Sequence, residues 1–265
     1  MQKRSKARRI KVLSYNIHQG LTVYRRQLAL SILKDALKSL KADVVLLQEV
    51  AGVEQQPRKK KDRVKTGEYV TPFQLEALAD EIWPYSAYGR NSVFSGGYHG
   101  NAILSRFPIK SFHNTDISIV KGLVRRGILH AKLEVEEGEN LHVLSTHLGL
   151  LEAERERQVR RLSEYIKEKV PAEAPLILGG DFNDWRERIS KRLAKSVQME
   201  EAFLKATRRH ARTFPAHFPV LRLDRVYYRG LKLHKATSIK GRPWLFLSDH
   251  LPLTAEFNWE APKAE

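Results

Sequence analysis

The chain contains no cysteine. That excludes disulfides, thiolate zinc sites and a cysteine nucleophile together. Long apolar runs are missing too. Behind the basic start, Met1 to Arg9, only Ile10-Lys11-Val12-Leu13 follows, well short of the roughly 7 to 15 apolar residues of a secretory leader. No stretch approaches the ~20 apolar residues of a membrane span, so a soluble cytoplasmic protein is expected. Acidic residues are scarce relative to basic ones: 30 Asp and Glu stand against 47 Lys and Arg, for a net charge of +17. Such a field attracts polyanions, nucleic acid first and an anionic membrane second. A solubility device or a general basic bias is the plainer explanation of the same charge.

What remains is an ordinary globular composition, long enough at 265 residues to bury a full core. Leu28, Ile32, Leu33, Leu37 and Leu40 recur at helical spacing and predict a helix over 25–41. Val44 to Leu47 is a continuous apolar run of the kind buried on both faces. Residues 52–67 lose periodicity and form a basic loop, and a second helix is expected over 72–82. Strands are predicted over 10–15, 102–104, 109–119, 127–135, 141–145, 176–178, 224–228 and 253–257. Val159, Leu162, Ile166 and Val170 line one face of a further helix, and the basic stretch 186–210 reads as helical in part. No linker or repeat divides the chain. The economical reading is a flexible basic tail over 1–9 and a single α/β domain over 10–265.

One pattern recurs along this domain. An apolar strand ends, and a polar residue fit for metal or acid–base work follows at once. Asn16 follows Val12-Leu13, Glu49 follows Val44 to Leu47, and His147 follows Val143-Leu144. Asp181 and Asn183 follow Leu176 to Leu178, and Asp249-His250 follows Phe246-Leu247. Ligands of open α/β sheets bind at strand ends, so five such ends can converge on one site. Glu49, Asp181, Asn183, Asp249 and Asn16 are oxygen donors, which suit Mg²⁺ or Mn²⁺. His147 and His250 titrate near neutrality, and Asp224 offers a carboxylate to orient one of them. A base, charge stabilisation and leaving-group help are what phosphodiester cleavage requires.

Each residue has a plainer reading. Asp181 to Asp184 can be a turn and helix cap, and Ser248-Asp249-His250 a turn before Pro252. Asp224 can pair with Arg222 or Arg225. Glu49 argues harder for itself, because an acid closing a buried apolar run is costly without a partner. His18, His99, His113, His130, His142, His210, His217 and His234 read as surface or satisfied core histidines.

Taken in order, the motifs Ser14-Tyr15-Asn16-Ile17, Leu47-Gln48-Glu49, Gly100-Asn101-Ala102-Ile103-Leu104-Ser105, Ser145-Thr146-His147-Leu148, Gly180-Asp181-Phe182-Asn183, Leu223-Asp224-Arg225-Val226-Tyr227 and Ser248-Asp249-His250-Leu251-Pro252 resemble the endonuclease/exonuclease/phosphatase superfamily, over most of the chain. The resemblance implies a four-layer α/β sandwich, two mixed β-sheets packed face to face with helices outside. It implies Mg²⁺ at Glu49 with Asn16 and Asp249 close by, and Asp181 and Asn183 positioning water and phosphate. It pairs His250 with Asp224 as general base or phosphate contact. His147 stands where the abasic-site repair branch usually carries Tyr and where the two-histidine branches carry a His able to protonate the leaving oxygen. Arg126 matches a phosphate-touching Arg, and Asn101 a structural or phosphate-contacting Asn.

The expected function is therefore a divalent-metal-dependent phosphodiesterase, first of all a nuclease on DNA and also RNA, acting as a monomer. Lys3 to Lys11, Arg58 to Lys65, Lys205, Arg208, Arg209 and Arg212 are its candidate nucleic-acid contacts. The alternative is a phospholipid phosphodiesterase or phosphatase at an anionic membrane surface. That alternative needs an exposed aromatic patch around Phe214 and Phe218; the plainer expectation packs both beside the late strands. A binding module that keeps the fold and loses the site is disfavoured, because every chemical position is filled.

Overall fold

The computed structural model describes residues 8–21, 30–53, 73–79, 82–94, 97–119 and 124–259. Among these residues twelve strands fall into two sheets of six. The first sheet contains β1 (Arg8–Asn16), β2 (Val44–Val53), β3 (Tyr85–Phe94), β4 (Gly97–Ser105), β11 (Lys232–Ser238) and β12 (Leu253–Trp259), in the order β11-β12-β1-β2-β4-β3. The second contains β5 (Ile109–Asp116), β6 (Gly127–Glu136), β7 (Glu139–His147), β8 (Leu176–Asp181), β9 (Glu200–Glu201) and β10 (Asp224–Arg229), in the order β5-β6-β7-β8-β10-β9. Each sheet is mixed, with one parallel pair at its centre: β1 with β2, and β7 with β8.

Alternation along the strands decides which face meets which layer. Ile10 and Val12 of β1 point into the core between the sheets, together with Val44, Leu46, Leu129, Val143 and Ile177. Leu13 and Tyr15 point the other way, onto α1 (Leu30–Ser39), α2 (Phe73–Leu78) and α6 (Trp244–Leu247). Leu144 and Leu178 likewise face α3 (Glu152–Lys169) and α4 (Ile189–Val197), while the short α5 (Ala202–Thr207) contributes Phe203 to the inter-sheet core. The result is the four-layer sandwich, helices outside two facing sheets. In α3 the charges follow the helix dipole, with Glu152 and Glu154 in the first turn and Lys167 and Lys169 in the last.

Several boundaries differ from the sequence expectation. β1 begins at Arg8, inside the expected tail; residues 1–7 lie outside the described ones. β2 continues to Val53, past the start of the expected basic loop, whose remainder lies outside the described residues. The helix expected over 25–41 is described only from Leu30 and ends at Ser39. β3, β9 and β11 were not predicted. β9 is only two residues long, and β11 at its sheet edge is half-exposed throughout, so neither carries a two-residue hydrophobic period.

On the outer face of the second sheet, His130 Nε2 lies 2.9 Å from His142 Nδ1, and His130 Nδ1 lies 3.0 Å from the Tyr165 hydroxyl. Burial holds both imidazoles neutral, pushed down from 6.5 to about 4, with His142 and His113 adding to the effect at His130, and Lys132 and Arg229 at His142. In the unfolded chain they take up protons at the ordinary value. Between pH 6.5 and 4 the unfolded state therefore binds more protons than the native one, and stability falls as pH drops through that window. We expect urea titrations to lose about 2–3 kcal/mol across it, less than two independent shifts because the pair shares a hydrogen bond beside an open cleft. The double variant His130→Gln/His142→Gln should flatten that acid limb; an unchanged slope would refute the assignment.

Candidate active site

At one end of the sandwich the inward-facing positions turn polar. Ser14 and Asn16 on β1, Gln48 on β2, Asn101 on β4, Ser145 and His147 on β7, Asp181 on β8 and Asp224 on β10 are all buried there. Polar contacts cross between the sheets at this end. Gln48 Nε2 donates to Ser145 Oγ at 3.1 Å, and Asn101 Nδ2 donates to the carbonyls of Gly127 and Ser145 at 3.2 and 3.4 Å. Asn101 thus ties the sheets beneath the site, a structural part in the pair of roles expected for it.

Glu49 leaves the strand by a bulge. The β2–β4 register shifts between Leu47 and Val50, and Glu49 itself adopts φ 57°. A non-glycine residue in the left-handed region is a strained choice found at functional positions. Asn183, at φ 49°, makes the same choice two residues after β8. Between them Gly180, at φ +154°, cannot be replaced: an added Cβ would lie 1.9 Å from the Thr146 carbonyl oxygen.

These backbones bring the predicted side chains together. Asn16 Nδ2 donates to Glu49 Oε1 and to Asp181 Oδ2, both at 3.2 Å. His147 Nε2 lies 3.3 Å from Asp181 Oδ2, and its Nδ1 lies 3.9 Å from Glu49 Oε1. His250 Nε2 lies 3.7 Å from the same Asp181 oxygen, while its Nδ1 meets Asp224 Oδ2 at 2.8 Å. Asn183 donates its backbone N–H to Asp181 Oδ1 at 2.9 Å, and its amide reaches His147 Nε2 at 3.3 Å. Arg126, buried at the start of β6, adds positive charge felt by Asp181, Glu49 and His147. Asp224 therefore pairs with His250 rather than with an arginine; Arg225 instead donates to the carbonyls of Arg222, Asp224 and Asp184.

Two histidines set aside on sequence belong beside the site. His18 Nδ1 lies 3.4 Å from Asp249 Oδ1, and His99 feels the Glu49 carboxylate. Neither carries a sequence signal, since a lone His has no period and its partner is distant in the chain. Ser248 was also missed as a contributor: its hydroxyl donates to the Asn16 carbonyl at 2.7 Å and accepts the His250 N–H at 3.2 Å, holding the Asp249-His250 turn against β1.

The electrostatics separate the two imidazoles. Burial pushes His147 well below the usual 6.5, aided by Arg126, His250 and His99. Burial also pulls at His250, but the Asp224 and Asp181 carboxylates outweigh it and hold the ring charged, up to about 10. Asp181 is raised from 3.8 to about 6 by burial first and by Asp224, against the pull of His250 and of the hydrogen bonds from Asn183 and Asn16. The donor set fits a hard cation. Asp181, Asp224 and His250 offer ligand atoms within 4.8 Å of one another and can hold a metal ion. Asp224 Oδ1 is a buried oxygen without a hydrogen-bond partner among the described residues, and no thiolate competes.

Residues 13–250 match the Endonuclease/Exonuclease/phosphatase family. The chain belongs to this family. As a member it is a phosphoric ester hydrolase. Among relatives of the family, the uncharacterized protein YbhP of Escherichia coli K12 is 42% identical over 250 residues, covering 94% of this chain and 96% of that one. A UPF0294 protein of Vibrio campbellii is 31% identical over 184 residues, 68% of this chain and 61% of its own. Solved structures share the fold at low identity. The endonuclease/exonuclease/phosphatase from Beutenbergia cavernae superposes with TM-score 0.74 at 19% identity, over 97% of this chain and 73% of that one. D. rerio TDP2 complexed with a single-strand DNA product gives TM-score 0.68 at 19% identity, over 95% and 99%.

Proposed function

We propose that this family member hydrolyses phosphodiester bonds with Mg²⁺ or Mn²⁺ held at Glu49, with Asn16 and Asp249 beside it. The observation that carries the reading is Asp181, buried between the two imidazoles with its carboxyl raised to about 6. A general base works best with a pKa near the operating pH. Asp181 takes the proton of the attacking water, and Asn183 holds that carboxylate and the water in line. His250, kept cationic by Asp224, and Arg126 face the phosphoryl oxygens. As the P–O bond breaks the leaving oxygen takes a proton from the charged His250 ring, while His147, kept neutral by burial, orients Asp181 through their 3.3 Å contact. A bound cation supplies Lewis-acid polarisation of the phosphate.

The first substrate reading is DNA, with RNA beside it. It is supported by the +17 charge, by the exposed Arg208, Arg209 and Arg212, and by likeness in fold to a protein solved with a DNA product. Lys205, another expected contact, is engaged with Glu200 at 2.7 Å, and residues 3–7 and 58–65 lie outside the described ones. A specific observation favours the second reading, an anionic phospholipid. Phe218, expected to pack beside the late strands, is 76% exposed, and Phe214 is half-buried with its ring 5.0 Å from that of His250.

The test is one Mg²⁺-dependence assay, run side by side on supercoiled plasmid, single-stranded DNA, RNA, anionic phospholipid vesicles and bis(p-nitrophenyl) phosphate. His147→Ala and His250→Ala serve as controls. Cleavage of a phosphodiester that disappears in both variants is expected. An inert wild type on every substrate, with Mg²⁺ and with Mn²⁺, would end the reading.

A further inference from the structure

The exposed apolar side chains among the described residues gather on one side of the fold. Among the described residues eleven large ones are exposed; nine of them flank strand ends on the side where the site opens, and Tyr85, at the start of β3, lies at the opposite end. The strand directions establish this. Phe218, Val220 and Leu221 precede β10, whose first residue is Asp224. Leu150 and Leu151 follow His147 at the end of β7, and Trp185 follows Asp181 at the end of β8. Val93 and Phe94 close β3 where it pairs with the start of β4, and Val124 stands before Arg126 and β6. Scattered exposed apolar residues need no explanation, but a collar of them around a cleft marks an interaction surface.

The chemistry of the collar selects its partner. Six of these nine side chains are Val or Leu. Aliphatic groups gain nothing from stacking on nucleobases, which single-stranded nucleic-acid sites meet with aromatic rings. They do gain from entering the boundary between headgroups and acyl chains. Interleaved with them are exposed arginines, Arg125 beside Val124 and Arg212 ahead of Phe218, placed to meet anionic headgroups. The 213–221 segment is also tied to the chemistry. Ala216 donates its N–H to the Asp249 carbonyl at 2.7 Å, and the Thr213 carbonyl accepts the N–H of Leu251 at 2.9 Å.

We propose that this collar docks the protein on an anionic phospholipid bilayer and sets the mouth of the site against headgroup phosphodiesters. The substrate half of the inference rests on the phosphodiesterase reading above; the docking half does not. The experiment is sedimentation of the full chain with vesicles of phosphatidylglycerol and phosphatidylethanolamine, with phosphatidylcholine vesicles and single-stranded DNA in parallel. Wild type is expected to bind the anionic vesicles and to leave the neutral ones. The triple variant Leu150→Ser/Leu151→Ser/Phe218→Ser should bind the anionic vesicles at least about tenfold more weakly. The second variant, Tyr85→Ser, which alters the exposed apolar residue at the opposite end of the sandwich, should bind as wild type does. Unchanged melting temperatures confirm that both variants fold. Wild type that ignores the vesicles, or two variants that bind them equally, overturns the docking surface. So does a triple variant that loses single-stranded DNA while keeping vesicles, which would reassign the collar to nucleic acid. Vesicle binding by a wild type inert on every substrate of the assay above, with Mg²⁺ and with Mn²⁺, overturns the phosphodiesterase reading and leaves the docking standing.

Discussion

Replacing Glu49 by Gln is expected to weaken Mg²⁺ activation and lower kcat/KM by about a thousandfold or more at saturating metal. The substitution keeps the side-chain volume and an oxygen to accept from Asn16 Nδ2, the bond now 3.2 Å long, so it removes charge with little change of shape. Lewis-acid stabilisation of a phosphoryl oxygen is worth several kcal/mol, and each 1.36 kcal/mol is a factor of ten. Glu49 suits the part because its bulged, left-handed backbone turns the carboxylate out of the sheet while its side chain stays only 20% exposed. The same titration, run on Asp224→Asn, discriminates between two placements of the cation. A metal at Glu49 predicts that Glu49→Gln shifts the Mg²⁺ midpoint far more than Asp224→Asn does. A metal among Asp181, Asp224 and His250 predicts the reverse, and Glu49→Gln within about threefold of wild type would remove Glu49 from the reaction.

The His250→Ala variant should lose about 10² to 10⁴ in kcat with little change in KM, the range for removing one positioned acid–base group. Here the loss has two parts. The ring that faces the phosphoryl oxygens disappears, and Asp224, 2.8 Å from it, keeps a buried carboxylate without its partner. Asp224→Asn leaves the ring in place and should cost less. The double variant should be hardly worse than His250→Ala alone, because Asp224 acts through His250 and the two effects are not independent. Single-turnover kinetics on bis(p-nitrophenyl) phosphate would settle it: additive losses would separate the two residues into different roles.

The site was legible in the sequence to the extent that its residues close buried strands. Asn16, Glu49, His147 and Asp181 each end an apolar run, and the central strands of both sheets are buried on both faces, so the transition to polar residues stands out. His250 stood out in the same way, after Phe246-Leu247, but its pairing with Asp224 in particular needed the family motifs, because it spans 26 residues and no local period marks it. His18 and His99 were out of reach for the same reason. The charged pair at Asp224 and His250 also contradicts a simple reading of neighbours, which set Asp224 against arginines next to it in the chain. At the sheet edges the hydrophobic pattern fails: β11 buries none of its residues fully, and β9 is too short to show alternation. The collar was not foreseen: even Phe218, its most exposed member at 76%, was expected to pack beside the late strands. Single exposed Leu or Val residues carry no signal until the strand directions place them around one opening.

The site is assembled from both halves of the sandwich. Asn16 and Glu49 ride on the first sheet, and His147, Asp181 and Asp224 on the second, joined across the gap by the Asn16–Asp181 bond of 3.2 Å. Just below, the sheets come so close at Gly179 that a Cβ there would lie 2.6 Å from Leu46 Cδ1. Catalytic competence is therefore a gauge of alignment between two stacked plates, not of the soundness of either. A chain whose sheets have slid by a fraction of a strand spacing would keep its circular dichroism spectrum and most of its buried core, yet Asp181 and Glu49 would no longer meet at Asn16. In this protein, inactivation can run ahead of unfolding.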